Sequence, residues 1–248
     1  MEERNREMTT KELKQKIMTR DNLFIIFSQR TRMPFIFCDP ETMDDQIYVY
    51  FSEEEAKKET ETLANGGDLC RVFVLQKRAF LPFFLNTYSM GVNCIVAGFG
   101  TKECTSIQLE ELVQRTIKEE MKNSPSAVEN PALNLTMLYF MQELSSTKPD
   151  MAAAKELEQE MTAHFQKAKL LIPFQKDKKG IFLMKDDQKF QPVFTDFFEY
   201  DKFDREKKLL VIGVDAPVLL KNFPKEADGI IINPSSASVI LNVNVAKN

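Results

Sequence analysis

The chain has 248 residues, of which 43% are apolar and 28% are charged, which is the composition of a globular protein. Its net charge of −4 argues against nucleic-acid binding, because that function needs an excess of Lys and Arg on the surface. The sequence contains one histidine, His164, and four scattered cysteines without a Cys-x-x-Cys pair. This composition excludes a multi-histidine metal site, and we expect no metal or other cofactor.

The cysteines and the first residues of the chain predict the compartment. Residues 1–16 are charged throughout and lack the apolar core of a secretory signal. Cys38, Cys70 and Cys94 lie in or beside apolar runs, where a free thiol acts as a small hydrophobic side chain. A reactive thiol and a disulfide are the alternatives. We therefore expect a cytoplasmic protein whose strands bury these three thiols.

The first half of the chain is predicted to contain five strands and two helices. The predicted strands are Leu23–Ser28, Pro34–Asp39, Ile47–Phe51, Cys70–Leu75 and Val92–Ala97. Ser52 and Glu55 form a capping box that begins the first helix, and an Asn-Gly-Gly sequence at residues 65–67 ends it. The second helix has Pro82 in its first turn.

Residues 80–100 contain no charge over 21 positions, close to the roughly 20 residues that span a bilayer. Pro82, Asn86 and Gly91 interrupt the stretch, which predicts a short helix and a strand instead of a membrane span. Farther on, Thr105 to Gln108 has the pattern of a capping box and predicts a helix that extends to about Met121. We expect no membrane partner.

The second half repeats the order of the first. Its predicted strands are Leu170–Gln175, Ile181–Lys185, Pro192–Phe194, Leu209–Gly213 and Gly229–Asn233, followed by an alternating strand, Val239–Val245. Thr195 or Asp196 caps one helix, and Asp215 with Pro217 begins another. Pro82 and Pro217 are 135 residues apart, the same spacing as Cys94 and Gly229. The sequence thus predicts an α/β fold of two repeated mixed-sheet units, each β-β-β-α-β-α-β.

The predicted domains are residues 1–123, with an N-terminal and a trailing helix, and residues 124–248, with two leading helices. The breaker-rich segment 122–126 is the predicted linker. The leading helices are Asn130–Leu144 and Asp150–Ala168, and His164 lies at the border of the apolar stripe of the latter. We interpret His164 as a partly buried structural residue, with a ligand or catalytic base as the alternative.

Four separated segments in the second half resemble the SseB (enhanced serine sensitivity) family, N-terminal-domain type. They are Asn130-Pro131-Ala132-Leu133, Leu170-Leu171-Ile172-Pro173, Pro192-Val193-Phe194-Thr195 and the segment from Asp228 to Pro234. The resemblance covers about residues 129–242, and the first half resembles the same domain more weakly. It implies a bacterial cytoplasmic protein without established catalytic residues, and two tandem copies of the domain.

A weak candidate ligand site brackets the last core strand of the second half. Its residues are Asp228, Asn233, Pro234, Ser235 and Ser236. The serines offer hydroxyls and backbone amides at the carboxyl edge of a sheet, where open α/β sheets bind ligands. The alternative is that these residues form only a hairpin turn. No glycine-rich nucleotide motif is present.

Two helices carry more apolar residues than one sheet face can cover. Leu138, Phe140 and Met141 lie on the helix from Asn130, and Phe83, Phe84 and Tyr88 lie on the helix with Pro82. We expect these six residues at an interface between the units, in a homodimer, or with an unknown protein partner. The leading hypothesis is a non-catalytic interaction or regulatory protein. The alternative is a small-molecule sensor or an enzyme that uses the strand ends of the second unit.

Overall fold

A computed structural model describes residues 8–115 and 124–243. Helices and mixed sheets make up these residues, so the chain has the predicted α/β fold. Two compact units are present. Unit 1 comprises described residues 8–115 and 142–150, and unit 2 comprises 124–141 and 151–243. Most of the predicted linker and the predicted end of the helix near Met121 lie outside the described residues.

Unit 1 contains six strands in one mixed sheet, in the order β4-β1-β3-β5-β6, with β2 also beside β3. Strands β3 and β5 are parallel, and the other pairs are antiparallel. Its elements in chain order are α1 (Thr10–Thr19), β1 (Asn22–Ser28), β2 (Phe37–Cys38), β3 (Asp45–Tyr50), α2 (Glu53–Gly66), β4 (Cys70–Gln76), α3 (Phe80–Ser89), β5 (Cys94–Ala97), β6 (Thr105–Gln108) and α4 (Leu109–Leu112).

The next elements are α5 (Pro131–Ser145), whose residues up to Met141 are assigned to unit 2 and the rest to unit 1, and the elements of unit 2. The latter are α6 (Met151–Lys167), β7 (Lys169–Phe174), β8 (Leu183–Lys185), β9 (Gln188–Val193), α7 (Phe197–Phe203), β10 (Leu210–Asp215), α8 (Ala216–Lys221), β11 (Gly229–Ile232) and β12 (Val239–Asn242). Four strands pair in the order β12-β11-β9-β8, and β10 pairs with β7. A bridge between Leu171 and Phe194 connects β7 to the end of β9.

The strand pairs of the two units correspond. The β1–β4, β2–β3, β3–β5 and β5–β6 pairs have the same directions as β7–β10, β8–β9, β9–β11 and β11–β12. Val49 lies opposite Ala97 in the parallel pair of unit 1, and Val193 lies opposite Ile232 in that of unit 2. These registers allow equivalent positions to be compared. The tandem repeat itself stays a prediction.

Local sequence explains where the helices begin and end. Thr9 and Glu12 form a capping box at the start of α1. The Ser52 hydroxyl accepts a hydrogen bond from the Glu55 amide at the start of α2, as predicted. Gly67 ends α2 with φ +119°, a conformation that favours glycine. Asp196, one of the two predicted caps, accepts from the Glu199 amide and begins α7.

One element was assigned to the wrong class from its sequence. Residues 105–108 have the pattern of a capping box, but they form strand β6, paired antiparallel with β5. Ile107 is buried opposite Ile95, so burial within the sheet outweighs the local helix-start signal. Helix α4 begins only at Leu109.

The uncharged stretch at residues 80–100 contains α3 and β5, as expected. Across residues 8–115 and 124–243, none of the helices has the length and apolar character needed to cross a membrane.

The sheet of unit 1 packs one face against α2. The buried cluster there includes Ile26, Phe35, Tyr48, Tyr50, Ala56, Cys94 and Val96. In unit 2, a smaller cluster surrounds Phe194 and consists of Val128, Leu171, Phe194 and Tyr200. Phe194 contacts Tyr200 and Phe203 through its ring. Tyr50 at the end of β3 and Phe194 just after β9 belong to these clusters.

Candidate functional site

The residues of the predicted ligand site lie at opposite ends of β11. Asp228 precedes the strand, and its carboxylate accepts a hydrogen bond of 2.9 Å from the Lys189 amide. Asn233 follows the strand, and Pro234, Ser235 and Ser236 continue from it. The structure therefore brings the last four residues together but separates them from Asp228 by the length of β11.

Asn233 is the centre of a buried hydrogen-bond network. Its side chain has no solvent exposure. Its Oδ1 accepts from the Thr195 amide at 3.0 Å, and its Nδ2 donates to Thr195 Oγ1 at 2.8 Å and to Asn134 Oδ1 at 3.5 Å. Both polar ends of the Asn233 side chain thus have partners within unit 2, and the network connects β9, β11 and α5.

Two buried carboxylates adjoin this network at the start of α7. Asp196 accepts from the Glu199 amide at 2.9 Å and from Thr195 Oγ1 at 2.8 Å. Burial and the nearby Glu199 carboxylate raise the pKa of Asp196 to about 6. Glu199 is itself buried and binds Lys202 and the hydroxyl of Ser236.

The segment after Asn233 forms a turn, which is the alternative to a ligand site that the sequence left open. The amides of Ser236 and Ser238 both donate to the Asn233 carbonyl at 3.0 Å, and the chain then enters β12. Pro234 and Ser235 are half-buried, whereas Ser236 is buried. A ligand role for these residues stays a prediction.

Unit 1 has a glycine where unit 2 has Asn233. Gly98 follows β5, has φ +68° and donates to the Val49 carbonyl at 2.8 Å. The Asn233 amide donates in the same way to Val193 at 3.0 Å. Thr101 donates to the Gly98 carbonyl at 3.0 Å, as Ser236 does to that of Asn233. The turns match, but unit 1 lacks the amide side chain that joins the strand ends in unit 2.

A cavity of about 270 Å³ lies beside Gly98. It is lined by Lys16, Arg20, Phe51, Ser52, Glu55, Gly98, Thr101 and Glu103. The Lys16 ammonium lies 4.3 Å from the centre of the Phe51 ring and also pairs with Glu103. The lining contains two cations and two carboxylates, so its formal charge balances.

A second cavity in unit 1, of about 400 Å³, lies next to stacked aromatic rings. Phe37 stacks on Tyr48 at 3.7 Å, and Tyr48 stacks on Phe99 at 4.2 Å between ring centres. Asp39 and Asp44 lie in its wall. No sequence motif predicts this cavity, because the residues of its wall come from four separate segments.

The four thiols are free, but one prediction about them is wrong. Cys94 is buried and Cys70 is half-buried, whereas Cys38, the second residue of the two-residue strand β2, is exposed. Burial raises the pKa of Cys94 to about 11 and that of Cys70 to about 12. The fourth thiol, Cys104, is exposed.

His164 lies on α6 with about one third of its side chain exposed, 3.2 Å from the Glu160 carboxylate. This placement agrees with the predicted border position. In the described ranges, no three His, Cys, Asp or Glu side chains are grouped so as to hold a metal ion.

The six predicted interface residues differ in burial. Leu138 and Met141 on α5 and Phe84 on α3 are buried. Phe83, Tyr88 and Phe140 are half-buried. The Tyr88 hydroxyl donates to the Val113 carbonyl within unit 1. An interface role for these residues stays a prediction.

Exposed apolar residues are instead found on the strands at one edge of each sheet. Strands β4 and β10 each pair with one strand only within the described residues. Phe73 and Val74 on β4 are 38% and 45% exposed, and Leu210 and Ile212 on β10 are 42% and 47% exposed. An unbroken apolar run such as residues 209–212 is typical of a strand covered on both faces, but Leu210 and Ile212 are exposed on β10.

Comparison with known proteins gives little. No protein-family model matches the chain, and no curated protein matches it. The chain is similar to two solved structures, Tic22 from Plasmodium falciparum and Anabaena Tic22 (protein transport). The first shows 13% identity over 86% of this chain and 87% of that chain, and the second 11% over 84% of each. Both have a TM-score of 0.24, which is too low to bear on the function of this chain.

Proposed function

We propose that this chain is a non-catalytic interaction protein that binds extended segments of other proteins at its exposed sheet edges. The supporting observation is that β4 and β10 each present large apolar side chains at an edge with a strand on one side only. A strand at an edge exposes main-chain groups to which another strand can bond. At an edge with exposed apolar side chains, an added strand gains both main-chain hydrogen bonds and apolar burial.

Unit 2 shows the feature most clearly. Four exposed apolar side chains, those of Leu210, Ile212, Val218 and Leu220, occur within eleven consecutive residues of β10 and α8. Clustered exposure of this kind marks interaction surfaces in soluble proteins, whereas isolated exposed apolar residues are common everywhere.

The hydrogen bonding at the predicted ligand site favours this function over a pocket enzyme or sensor in unit 2. The Asn233 side chain binds Thr195 and Asn134, and Ser236 binds Glu199. A ligand there would have to replace bonds that already connect β9, β11 and α5. Breaking the hydrogen bonds of buried polar groups costs more free energy than binding a ligand to polar groups that have no protein partner.

A displayed library of random twelve-residue peptides, selected on the full chain, tests the proposal. We expect enrichment of peptides in which apolar residues alternate, since alternate side chains of an added strand face the same way. Binding of the enriched peptides should fall in the double variant Phe73→Lys with Ile212→Lys. The matched control, Met18→Lys with Met151→Lys, places the same two charges at other exposed apolar residues, on α1 and α6, and should bind normally. Equal loss in both variants, or no enrichment, would contradict the proposal.

Two further properties belong to this proposal. We assign the chain to the SseB family on the four segments described above, and the corresponding strand pairs of the units support two tandem copies. We also place it in the cytoplasm, which is supported by four free cysteines, as in proteins of reducing compartments.

A further inference from the structure

Strand β4 leaves a row of main-chain groups directed away from the sheet. The antiparallel register pairs Ile25 with Phe73 and Phe24 with Val74. The Lys77 amide donates to the Asp21 carbonyl, and the Leu69 carbonyl accepts from the Gln29 amide. Odd-numbered residues of β4 therefore bond to β1, and the alternation of an antiparallel pair directs the N–H and C=O groups of Val72 and Val74 to the open side.

The side chains of β4 provide an apolar surface along this edge. Phe73 stacks on Phe27 with ring centres 4.5 Å apart, which holds the ring in place while 38% of the residue stays exposed. Leu69, just before β4, is 46% exposed, and Val74, on the opposite face from Phe73, is 45% exposed. Val72 packs against the core cluster beneath α2, so the strand itself is anchored.

The segment that contains β4 carries charge of one sign, whereas acidic residues beside it include Asp21, whose carbonyl accepts from the Lys77 amide, and the glutamates of α2. Residues 69–79, which contain β4 and the turn after it, include Arg71, Lys77 and Arg78 and no acidic residue. All three cations are exposed. Asp68, just before this segment, is half-buried. By contrast, β10 of unit 2 contains Asp215 and no cation. The whole chain has a net charge of −4, so the cations of β4 are a local feature.

We infer that the β4 edge of unit 1 binds an acidic, extended polypeptide segment that adds to the sheet as a further strand. This inference rests on the proposed function and names the partner chemistry at one of the two edges. The open amides and carbonyls of Val72 and Val74 pair with the main chain of the segment. On the face of the sheet that carries both Phe73 and Arg71, its apolar side chains contact Phe73 and its carboxylates pair with Arg71.

A single-stranded nucleic acid is the other class of anionic, ring-bearing ligand. It has no regular series of N–H and C=O groups to pair with the open row of β4. Nucleic-acid sites also rely on several aromatic rings along a basic groove, whereas Phe73 is the only aromatic residue of residues 69–79. The observations therefore favour a polypeptide.

Fluorescence polarisation with the full chain tests the inference. The probe is a labelled ten-residue peptide with the repeat Glu-Thr-Val-Thr, which places Glu and Val in turn on one face of an added strand, compared with the same peptide carrying Lys in place of Glu. At low salt we expect the acidic peptide to bind at least about tenfold more tightly, and this preference to weaken as salt screens the charges.

Charge reversal locates the site. The triple variant Arg71→Glu, Lys77→Glu, Arg78→Glu should lose most of the binding of the acidic peptide. The matched control makes the same three-charge change on unit 2 away from β10, at the exposed residues Lys155, Lys167 and Lys185, and should bind as the unchanged chain does. Equal binding of the Glu and Lys peptides, or equal loss in both variants, would overturn the inference.

Main-chain pairing is tested from both sides. Val74→Pro removes an outward N–H at an edge, where proline is tolerated, and should weaken binding about tenfold. Because this variant could misfold, an acidic peptide with N-methyl groups on alternate residues is measured on the unchanged chain and should also fail to bind. Undiminished binding of the methylated peptide would contradict strand addition.

Tighter binding of an oligothymidylate than of the acidic peptide would instead favour a nucleic acid. If the selected peptides depend on Ile212 but not on the β4 cations, the proposed function stands and this inference fails.

Discussion

Unit 2 has Asn233 after its parallel strand pair, and unit 1 has Gly98 at the equivalent position. In both units the residue has a positive φ and its amide donates to the strand opposite, Val193 or Val49. The Asn233 side chain then fills the space above the strand ends with hydrogen bonds to Thr195 and Asn134. Gly98 cannot do so, and a cavity of about 270 Å³ lies beside it.

The difference shows that one backbone turn can be stabilised in two ways. Glycine makes the left-handed conformation inexpensive, whereas asparagine tolerates it and adds side-chain hydrogen bonds. The residues that begin the next helix also differ in burial between the two units. Buried Asp196 begins α7 in unit 2, while half-buried Ser52 begins α2 in unit 1. Buried hydrogen bonds thus connect the strand ends in unit 2, whereas a cavity lies at the equivalent position in unit 1.

Asn233→Gly makes unit 2 resemble unit 1 and should give the largest effect. The Thr195 amide and hydroxyl would lose buried partners, and a space would open. We expect the free energy of unfolding to fall by about 2–4 kcal/mol, since each unpaired buried group costs roughly 1–3 kcal/mol. Chemical denaturation followed by circular dichroism measures the change. An unchanged midpoint would mean that water replaces the amide without loss.

Asp196→Asn tests the buried carboxylate through pH. The pKa of Asp196 is about 6 in the folded chain against an ordinary value of 3.8, so its charged form is disfavoured by folding. The contribution of Asp196 to stability is therefore greatest below pH 4 and is lost as pH rises to about 6, by about 3 kcal/mol for a shift of about two units.

The Asn variant should lack this part of the pH dependence, as measured by denaturant unfolding between pH 4 and 7. The control is Asp215→Asn, which replaces an exposed carboxylate at the start of α8. If Asp196→Asn and the unchanged chain have the same pH profile, the Asp196 carboxylate does not titrate in this range.

Tyr50→Phe compares the ends of β3 and β9, because Tyr50 corresponds to Phe194. Within residues 8–115 and 124–243, the Tyr50 hydroxyl is the one buried side-chain polar atom without a hydrogen-bond partner. Its removal should leave stability unchanged or raise it by up to about 1 kcal/mol. The reverse change, Phe194→Tyr, should lower the thermal midpoint. A clear loss of stability in Tyr50→Phe would show that the hydroxyl has a partner in solution.

Alkylation should give the smallest effect and concerns unit 1 alone, because all four cysteines are in its segment of the chain. At pH 8 we expect iodoacetamide to label the exposed Cys38 and Cys104 before Cys70 and the buried Cys94. Mass spectrometry of digested samples over time measures the order. Cys94 labelled as fast as Cys104 would mean that the β3–β5–β6 region opens readily.

The sequence determined the class of the fold and most element positions, because apolar periodicity and caps act locally. Ser52, Asp196 and Pro217 each begin a helix at the predicted place. The same local signals placed Asn233 and Ser236 at a strand end. These features need only neighbouring residues to form.

Only the tertiary structure decided which strands lie at an edge and which polar groups find partners. The local pattern of residues 105–108 favours a helix, but pairing with β5 makes them a strand. The apolar sequence of β10 looks like a covered strand, yet its place in the sheet leaves Ile212 exposed. Asn233 meets Asn134 across 99 positions of the chain. Burial and hydrogen bonding between distant segments depend on how the elements pack, which no local pattern contains.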